Sequence, residues 1–312
     1  MKILFWGTPA FAVPSLRALL GEGFGVAAVV TQPDRPAGRG RKLRPSPVRE
    51  VAEEEELPVL TPEQPGSPGF LAQVEALRPD LSVVVAYGHI LPVEILELPT
   101  HGSINVHASL LPRLRGAAPV NWAIIRGDDR TGVTIMRMTA GMDAGPILLQ
   151  REMPIAVEDT ATGLTHRLAE LGAEALMEAV ALIGAGEAEF REQDYRDATY
   201  APKVDRETAR IDWERTASAV ADHIRGMDLV PGAWSLLGDE PIKLFSPTVV
   251  DRASDTPPPG TFLPPGPGDE LVVATGHGGA VRIGEVQPPG KRRMESAAWL
   301  RGRSAEGGLR FS

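Results

Sequence analysis

A set of short, continuous apolar runs separated by helix-patterned stretches constrains this chain most. Residues 2–6 (with Lys2 at the edge), 26–31 and 81–87 are such runs. A strand that buries one face alternates apolar with polar side chains; a run without alternation is buried on both faces. Between the runs, residues 14–20, 48–56, 69–77 and 117–126 fit helices, with Pro14 in a first turn that has no use for its missing N–H. Residues 103–106 and 133–136 are further strand candidates. The alternation predicts an α/β domain, doubly wound on a mostly parallel sheet. A long helix is expected over 161–184, with Leu164, Leu168, Leu171, Leu176, Val180 and Ile183 roughly on one face. Thr160 or Thr162 would cap its start and Gly184 its end.

The stretch 189–207 is polar and aperiodic, and is expected to be a linker between a catalytic domain at 1–188 and a second domain at 208–312. In that second part a helix near 214–226 precedes five short strands, at 233–237, 241–246, 260–263, 270–274 and 280–286. Proline and glycine clusters such as Pro257-Pro258-Pro259-Gly260 separate them. Short strands broken by turn residues predict a smaller C-terminal OB-like β-barrel.

Several function classes drop out. No apolar run approaches the roughly 20 residues of a membrane helix, and the N-terminal run reads as a first strand, not a signal peptide. The chain has no cysteine, which excludes disulfides and thiolate chemistry and suits a cytoplasmic protein. Its net charge of -9 argues against non-specific nucleic-acid binding. Yet from Asp34 to Arg49 a single acid stands against Arg35, Arg39, Arg41, Lys42, Arg44 and Arg49. A basic loop on an acidic body suits one specific contact with a polyanion. No phosphate loop, no G-x-G-x-x-G after the first strand, no H-E-x-x-H and no G-x-S-x-G is present. Neither a bound dinucleotide, a metal centre nor a serine hydrolase is expected.

Chemistry concentrates in Ile104-Asn105-Val106-His107-Ala108-Ser109-Leu110-Leu111-Pro112. Side chains at i and i+2 of a strand leave the same face, so Asn105 and His107 project side by side. A neutral donor beside a chargeable one suits a developing oxyanion. Asp143, in Thr139-Ala140-Gly141-Met142-Asp143-Ala144-Gly145, lies in a loop after a strand, where open α/β sheets meet their ligands. A carboxylate there would hold the imidazole protonated. A histidine near a strand end is also a common structural residue, and an aspartate between glycines a common turn former. From spacing alone both readings stand.

The run Asn105 to Pro119 (Asn-Val-His-Ala-Ser-Leu-Leu-Pro-Arg-Leu-Arg-Gly-Ala-Ala-Pro), taken with Asp143, resembles the formyltetrahydrofolate-dependent formyltransferases. Gly7-Thr8-Pro9-Ala10-Phe11, Thr31 to Gly40, Val84 to Gly88, Thr131 to Met136 and Arg210-Ile211-Asp212-Trp213 add to the likeness. It is densest over residues 1–150 and weakens after about 250. It implies a Rossmann-like catalytic domain and a tRNA-binding C-terminal domain. It also implies transfer of the formyl group of 10-formyltetrahydrofolate, a co-substrate and not a tightly bound cofactor, to the α-amine of methionine on initiator tRNA. Asn105 and protonated His107 would stabilise the tetrahedral intermediate, each donor being worth about 3 kcal/mol of barrier, with Asp143 assisting and no metal. Ser109, Leu110, Leu111 and Pro112 match the family's folate-contacting turn. Arg39, Arg41 and Lys42 match a basic insertion that approaches the tRNA acceptor end, and Phe11 would pack beside the methionyl group. Lys291, Arg292, Arg293, Arg301 and Arg303 would add backbone contacts. A monomer is expected. The alternatives are a formyltransferase acting on an amino sugar nucleotide, a hydrolase of formyl-folate, and a non-catalytic tRNA- or folate-binding module. Two positions depart from the family pattern. Ala108 stands where glycine is common and would be strained if the backbone needs φ > 0. His89 stands where an aliphatic residue is common.

Overall fold

The computed structural model describes residues 1–37, 42–250, 257–264, 270–301 and 309–312. The chain divides into two compact units. The first comprises Met1–Pro119, Thr131–Met153 and Thr165–Ala201; the second comprises Val120–Arg130, Pro154–Leu164 and Pro202–Ser312.

In chain order the first part runs β1 (Lys2–Gly7), α1 (Val13–Gly21), β2 (Gly25–Val30), β3 (Arg35–Ala37), β4 (Lys42–Arg44), α2 (Pro47–Glu54), β5 (Val59–Leu60), α3 (Pro68–Leu77), β6 (Leu81–Val85), α4 (Val93–Glu97) and β7 (Ser103–His107). It continues with α5 (Pro119–Ile125), β8 (Arg130–Arg137), β9 (Ile147–Pro154) and α6 (Ala161–Ala185). Among the described residues seven strands form one sheet in the order β5-β2-β1-β6-β7-β8-β9. The strands β5, β2, β1, β6 and β7 are parallel, and β8 runs antiparallel to β7. The doubly wound, mostly parallel sheet expected from the apolar runs is present. After its edge residue β1 is wholly buried, and β6 and β7 are buried throughout, as non-alternating strands require.

Strand order reverses between β1 and β6. Their carboxyl ends therefore part there and leave a crevice of the kind in which open sheets take ligands. The crevice is pinned from within: Gln32 Nε2 and Thr8 Oγ1 both donate to Tyr87 O, at 2.9 and 3.0 Å. Two helix starts are capped by hydroxyl side chains, the second at one of the two threonines expected. Ser46 accepts from Arg49 N at 3.1 Å with Pro47 opening α2, and Thr160 accepts from Gly163 N at 3.2 Å to open α6. That helix ends at Ala185 and is closed by Gly186, whose φ is +74°, and not by Gly184. Only the former reaches the left-handed region a C-terminal cap uses.

The second unit carries α7 (Ala217–Gly226), β10 (Trp234–Leu237), β11 (Glu240–Val250), β12 (Leu271–Ala274), β13 (Ala280–Gln287), β14 (Met294–Glu295) and α8 (Ser296–Arg301). Its antiparallel sheet has the order β10-β11-β13-β12, with β14 on β13. The fifth strand is thus Met294–Glu295. Residues 260–263 contribute only single bridges, Thr261 to Arg310 and Phe262 to Val273, and Phe311 bridges Leu237. Among the described residues those bridges link the β12 edge to the β10 edge, the arrangement of a small OB-like half-barrel. Trp213 stacks on Phe311 in its core, with centroids 5.6 Å apart and planes at 7°. Among the described residues no helix is long and apolar enough to cross a membrane.

Candidate active site

Strand β7 and the loop between β8 and β9 supply the site in the first unit. β7 carries Asn105 and His107 on one face, both buried, at 9% and 6% exposure. Their neighbours Ile104 and Val106 point into apolar packing and fix the strand, because a one-residue slip would exchange the two faces. Register places His107 opposite Thr134 and Asn105 opposite Met136 on β8.

The imidazole is held on both sides. Its Nε2 lies 3.1 Å from Leu114 O. A carbonyl oxygen can only accept, so that nitrogen carries the hydrogen. Nδ1 lies 3.7 Å from Asp143 Oδ2, too far for a direct hydrogen bond but close for an ion pair. Nδ1 is therefore the ring atom left to act. Asp143 is in turn aimed by Gly116 N, which donates to Oδ2 at 2.8 Å. Gly116 is required there: its φ is +117°, and a Cβ would come within 2.8 Å of Ala201 O. Asp143 itself has φ +48°, a left-handed conformation that aspartate tolerates better than most residues.

The Ser109–Pro112 turn is knit by polar side chains. Ser109 Oγ donates to Arg113 O at 2.7 Å. Thr134 Oγ1 donates to Ser109 O at 2.6 Å and accepts from Leu111 N at 3.1 Å. The Leu111 side chain packs with Met136 and Ile147 in a small core cluster, whereas Leu110 and Pro112 keep part of their surface. Phe11 is half-buried in a 3-10 turn after β1. Ala108 does not have a positive φ, so its methyl meets no backbone strain. His89 is exposed, with its ring 5.8 Å from that of Tyr87. Burial pushes the Tyr87 hydroxyl up to about 12, and among the described residues its oxygen has no hydrogen-bond partner.

Of the basic loop, Arg39 and Arg41 lie outside the described residues. Lys42 opens β4, which pairs with β3. In the second unit Arg303 also lies outside the described residues. Lys291 and Arg292 are exposed. Arg293 is engaged by Asp228 at 3.4 Å, by Glu285 and by the Phe245 ring at 4.2 Å. Two buried residues around the site have no role assigned from the sequence, although Arg115 lies within the Asn105–Pro119 run. Gln193 and Arg115 are buried at 5% and 3% exposure, and the first bonds the Asp143 loop. Among the described residues no group of three or more His, Asp or Glu could hold a metal ion.

A doubly wound sheet that gathers an amide, an imidazole and a carboxylate suits stabilisation of a developing oxyanion, as in acyl or formyl transfer to an amine. Family models agree in detail: that of formyl transferase matches residues 1–180, and that of its C-terminal domain residues 203–304. The chain belongs to the formyl transferase family. It is 46% identical over 310 residues to a methionyl-tRNA formyltransferase of Citrifermentans bemidjiense, covering 99% of this chain and 96% of the relative. To that of Methylococcus capsulatus it is 47% identical over 307 residues, covering 98% of each. Among solved structures it is similar to an N-formyltransferase of Helicobacter canadensis in complex with folinic acid and dTDP-3-aminofucose. The TM-score is 0.69 at 19% identity, over 92% of this chain and 99% of that one. HypX of Aquifex aeolicus in complex with tetrahydrofolic acid gives a TM-score of 0.62 at 21% identity. There 96% of this chain matches, spanning 47% of HypX. At such identities the two structures show the fold alone.

Proposed function

We propose that this protein transfers the formyl group of 10-formyltetrahydrofolate to the α-amine of methionine on initiator tRNA. The observation that carries the reading is His107 Nδ1 facing the Asp143 carboxylate at 3.7 Å with Asn105 beside it. The chain's relatives, matched nearly end to end, are methionyl-tRNA formyltransferases.

The attacking amine must be neutral, and an α-amino group titrates near pH 8, so about a tenth is available at pH 7. Attack forms the C–N bond and leaves charge on the formyl oxygen. Asn105 Nδ2 donates one hydrogen bond to it. His107 donates a second from Nδ1, since its Nε2 hydrogen is already committed to Leu114 O. Asp143 accepts the proton released by the amine. Collapse returns the carbonyl, expels the folate nitrogen and needs one proton there, which the His107–Asp143 pair supplies. Folate is taken as co-substrate by the turn at Ser109–Pro112, through the partly exposed Leu110 and Pro112 and the turn's backbone. Phe11 lines the methionyl side. Catalysis is assigned to the first unit, with its Arg39, Arg41 and Lys42 meeting the acceptor end, and further tRNA docking to the second. The protein works as a cytoplasmic monomer.

The test is direct. Purified protein is given formyl-folate and either charged initiator tRNA or a dTDP-linked amino sugar, and the formylated acceptor is measured. Formyl-methionyl-tRNA is the expected product. Folded protein that formylates only the sugar, or neither acceptor, overturns the reading.

A further inference from the structure

Leu114, Arg115 and Gly116 each hold a different part of the same pair. Leu114 O accepts from His107 Nε2, and Gly116 N donates to Asp143 Oδ2. Arg115 acts through Gln193. The Gln193 Oε1 accepts from Arg115 Nη2 and Nε, at 2.6 and 3.2 Å, while its Nε2 donates to Asp143 O at 2.9 Å and Gly145 O at 2.7 Å. A closed circuit results: His107, Leu114, Arg115, Gln193, Asp143 and back to His107.

We infer that Gln193, clamped by Arg115, is a positioning residue for the reaction, setting the Asp143 carboxylate against His107; the inference rests on the formyl-transfer reading above. A side-chain amide meets both demands of the place. A guanidinium has only donors and a carbonyl only lone pairs, so the bridging group must accept at one end and donate at the other. The amide orientation is fixed by the same logic. A flip would set N–H against N–H and oxygen against two carbonyls. Both partners are themselves anchored. Arg115 N donates to Thr199 O at 2.8 Å, its carbonyl accepts from Ala201 N at 2.7 Å, and its guanidinium lies 5.0 Å from the Tyr195 ring centroid. On the other side, Asp143 has a left-handed φ, and the Gln193 amide braces the carbonyls at Asp143 and Gly145. With the amide gone, the loop is free to relax, and the carboxylate moves relative to Nδ1.

The consequence is specific to turnover. Gln193 lies behind the Asp143 backbone and not in the pair it holds, so substrate binding is spared. Gln193→Met keeps the length and removes both polar ends. Gln193→Glu keeps the shape and pairs with Arg115, but turns an acceptor toward two carbonyls. In the full-length protein both variants are expected to lower kcat roughly 10- to 100-fold, with KM for formyl-folate and for methionyl-tRNA within about twofold of wild type. A melting temperature for Gln193→Glu that stays well above the assay temperature separates positioning from unfolding. Combined with Asp143→Ala, Gln193→Glu should cost nothing beyond Asp143→Ala alone, because its effect runs through that carboxylate. Wild-type kcat in Gln193→Glu, or a loss that multiplies that of Asp143→Ala, overturns the inference while leaving formyl transfer intact. An inactive wild type overturns the functional reading instead.

Discussion

Thr134→Val tests whether the turn beside the imidazole is held by polar side chains. Thr134 is completely buried and stands opposite His107 in the strand register. Its hydroxyl makes three hydrogen bonds: to Ser109 O at 2.6 Å, from Leu111 N at 3.1 Å and from Gln150 Nε2 at 2.9 Å. Valine preserves the shape and deletes all three. Gln150 loses little, because its amide also reaches Leu111 O at 2.9 Å and its side chain is exposed. The cost falls on Leu111 N–H and Ser109 C=O. An orphaned buried donor costs about 1–3 kcal/mol, and a carbonyl with a second lone pair somewhat less. The added methyl returns about 0.8 kcal/mol. The net is a destabilisation of about 2 kcal/mol, or about 4–8 °C in Tm for a unit of this size.

The functional consequence follows from which groups are orphaned. Both belong to the Ser109–Pro112 turn, so the variant should raise KM for formyl-folate several-fold while KM for methionyl-tRNA stays put. Thr134→Ser is the control: it keeps the hydroxyl, loses a methyl worth about 1 kcal/mol, and leaves KM unchanged. Calorimetric melting and steady-state formylation read both effects. A valine variant with Tm within about 1 °C of wild type and unaltered KM would show that the turn is held by something other than this hydroxyl.

Asn105→Ala should cut kcat roughly 100- to 1000-fold and leave tRNA affinity in filter binding unchanged; equal losses in both would make Asn105 a binding residue. Arg39→Ala combined with Arg41→Ala should weaken tRNA binding and flatten its dependence on log salt concentration by about 2 in slope. An unchanged slope removes the basic loop from the interface. His223 is buried on α7 with Nε2 unpartnered, and burial first, then the Arg215 charge, lowers its pKa. A base whose folded pKa is depressed stabilises the fold fully above its unfolded value of about 6.5. That contribution is lost as pH falls below this value toward the folded pKa, because the unfolded chain binds the proton first. Urea midpoints should therefore drop between pH 7.5 and 5.5, and drop less in His223→Gln. Parallel curves would assign the acid sensitivity elsewhere.

What the sequence makes legible divides along the range of the interaction. Strands buried on both faces announce themselves as unbroken apolar runs, and β1, β2, β6 and β7 fall within a residue or two of where those runs lie. β9 does not, because only its first two residues are buried and the rest face outward. α4 has five residues, too short to show a helical period. In the barrel the fifth strand is two residues long, and 260–263 reads as a strand because single bridges at Thr261 and Phe262 demand the same extended, half-buried residues as a ladder. Asn105 and His107 are legible as a pair because one strand fixes their relation. Their distance to Asp143 is not, since it depends on a loop that the strand pattern leaves free.

Gln193 marks the far end of that scale. It sits in a polar, aperiodic stretch, and its partner Arg115 is 78 residues away in sequence. Nothing local distinguishes it from a solvated loop residue. Its burial makes sense only from the other side of the contact. Where β7 and β8 end, the backbone leaves the ladder, and its N–H and C=O groups must find partners elsewhere. Side chains supply them: Thr134 and Gln150 for the turn after His107, Thr199 for Leu114 N at 2.9 Å, and Gln193 for the Asp143 loop. Polar burial is costly unless fully paired, and the first unit concentrates it here, in Asn105, His107, Ser109, Arg115, Thr134 and Gln193. A site whose chemistry depends on the gap between one ring nitrogen and one carboxylate needs that spacing held by directional bonds. Apolar packing alone would fill the same volume and leave the separation unspecified.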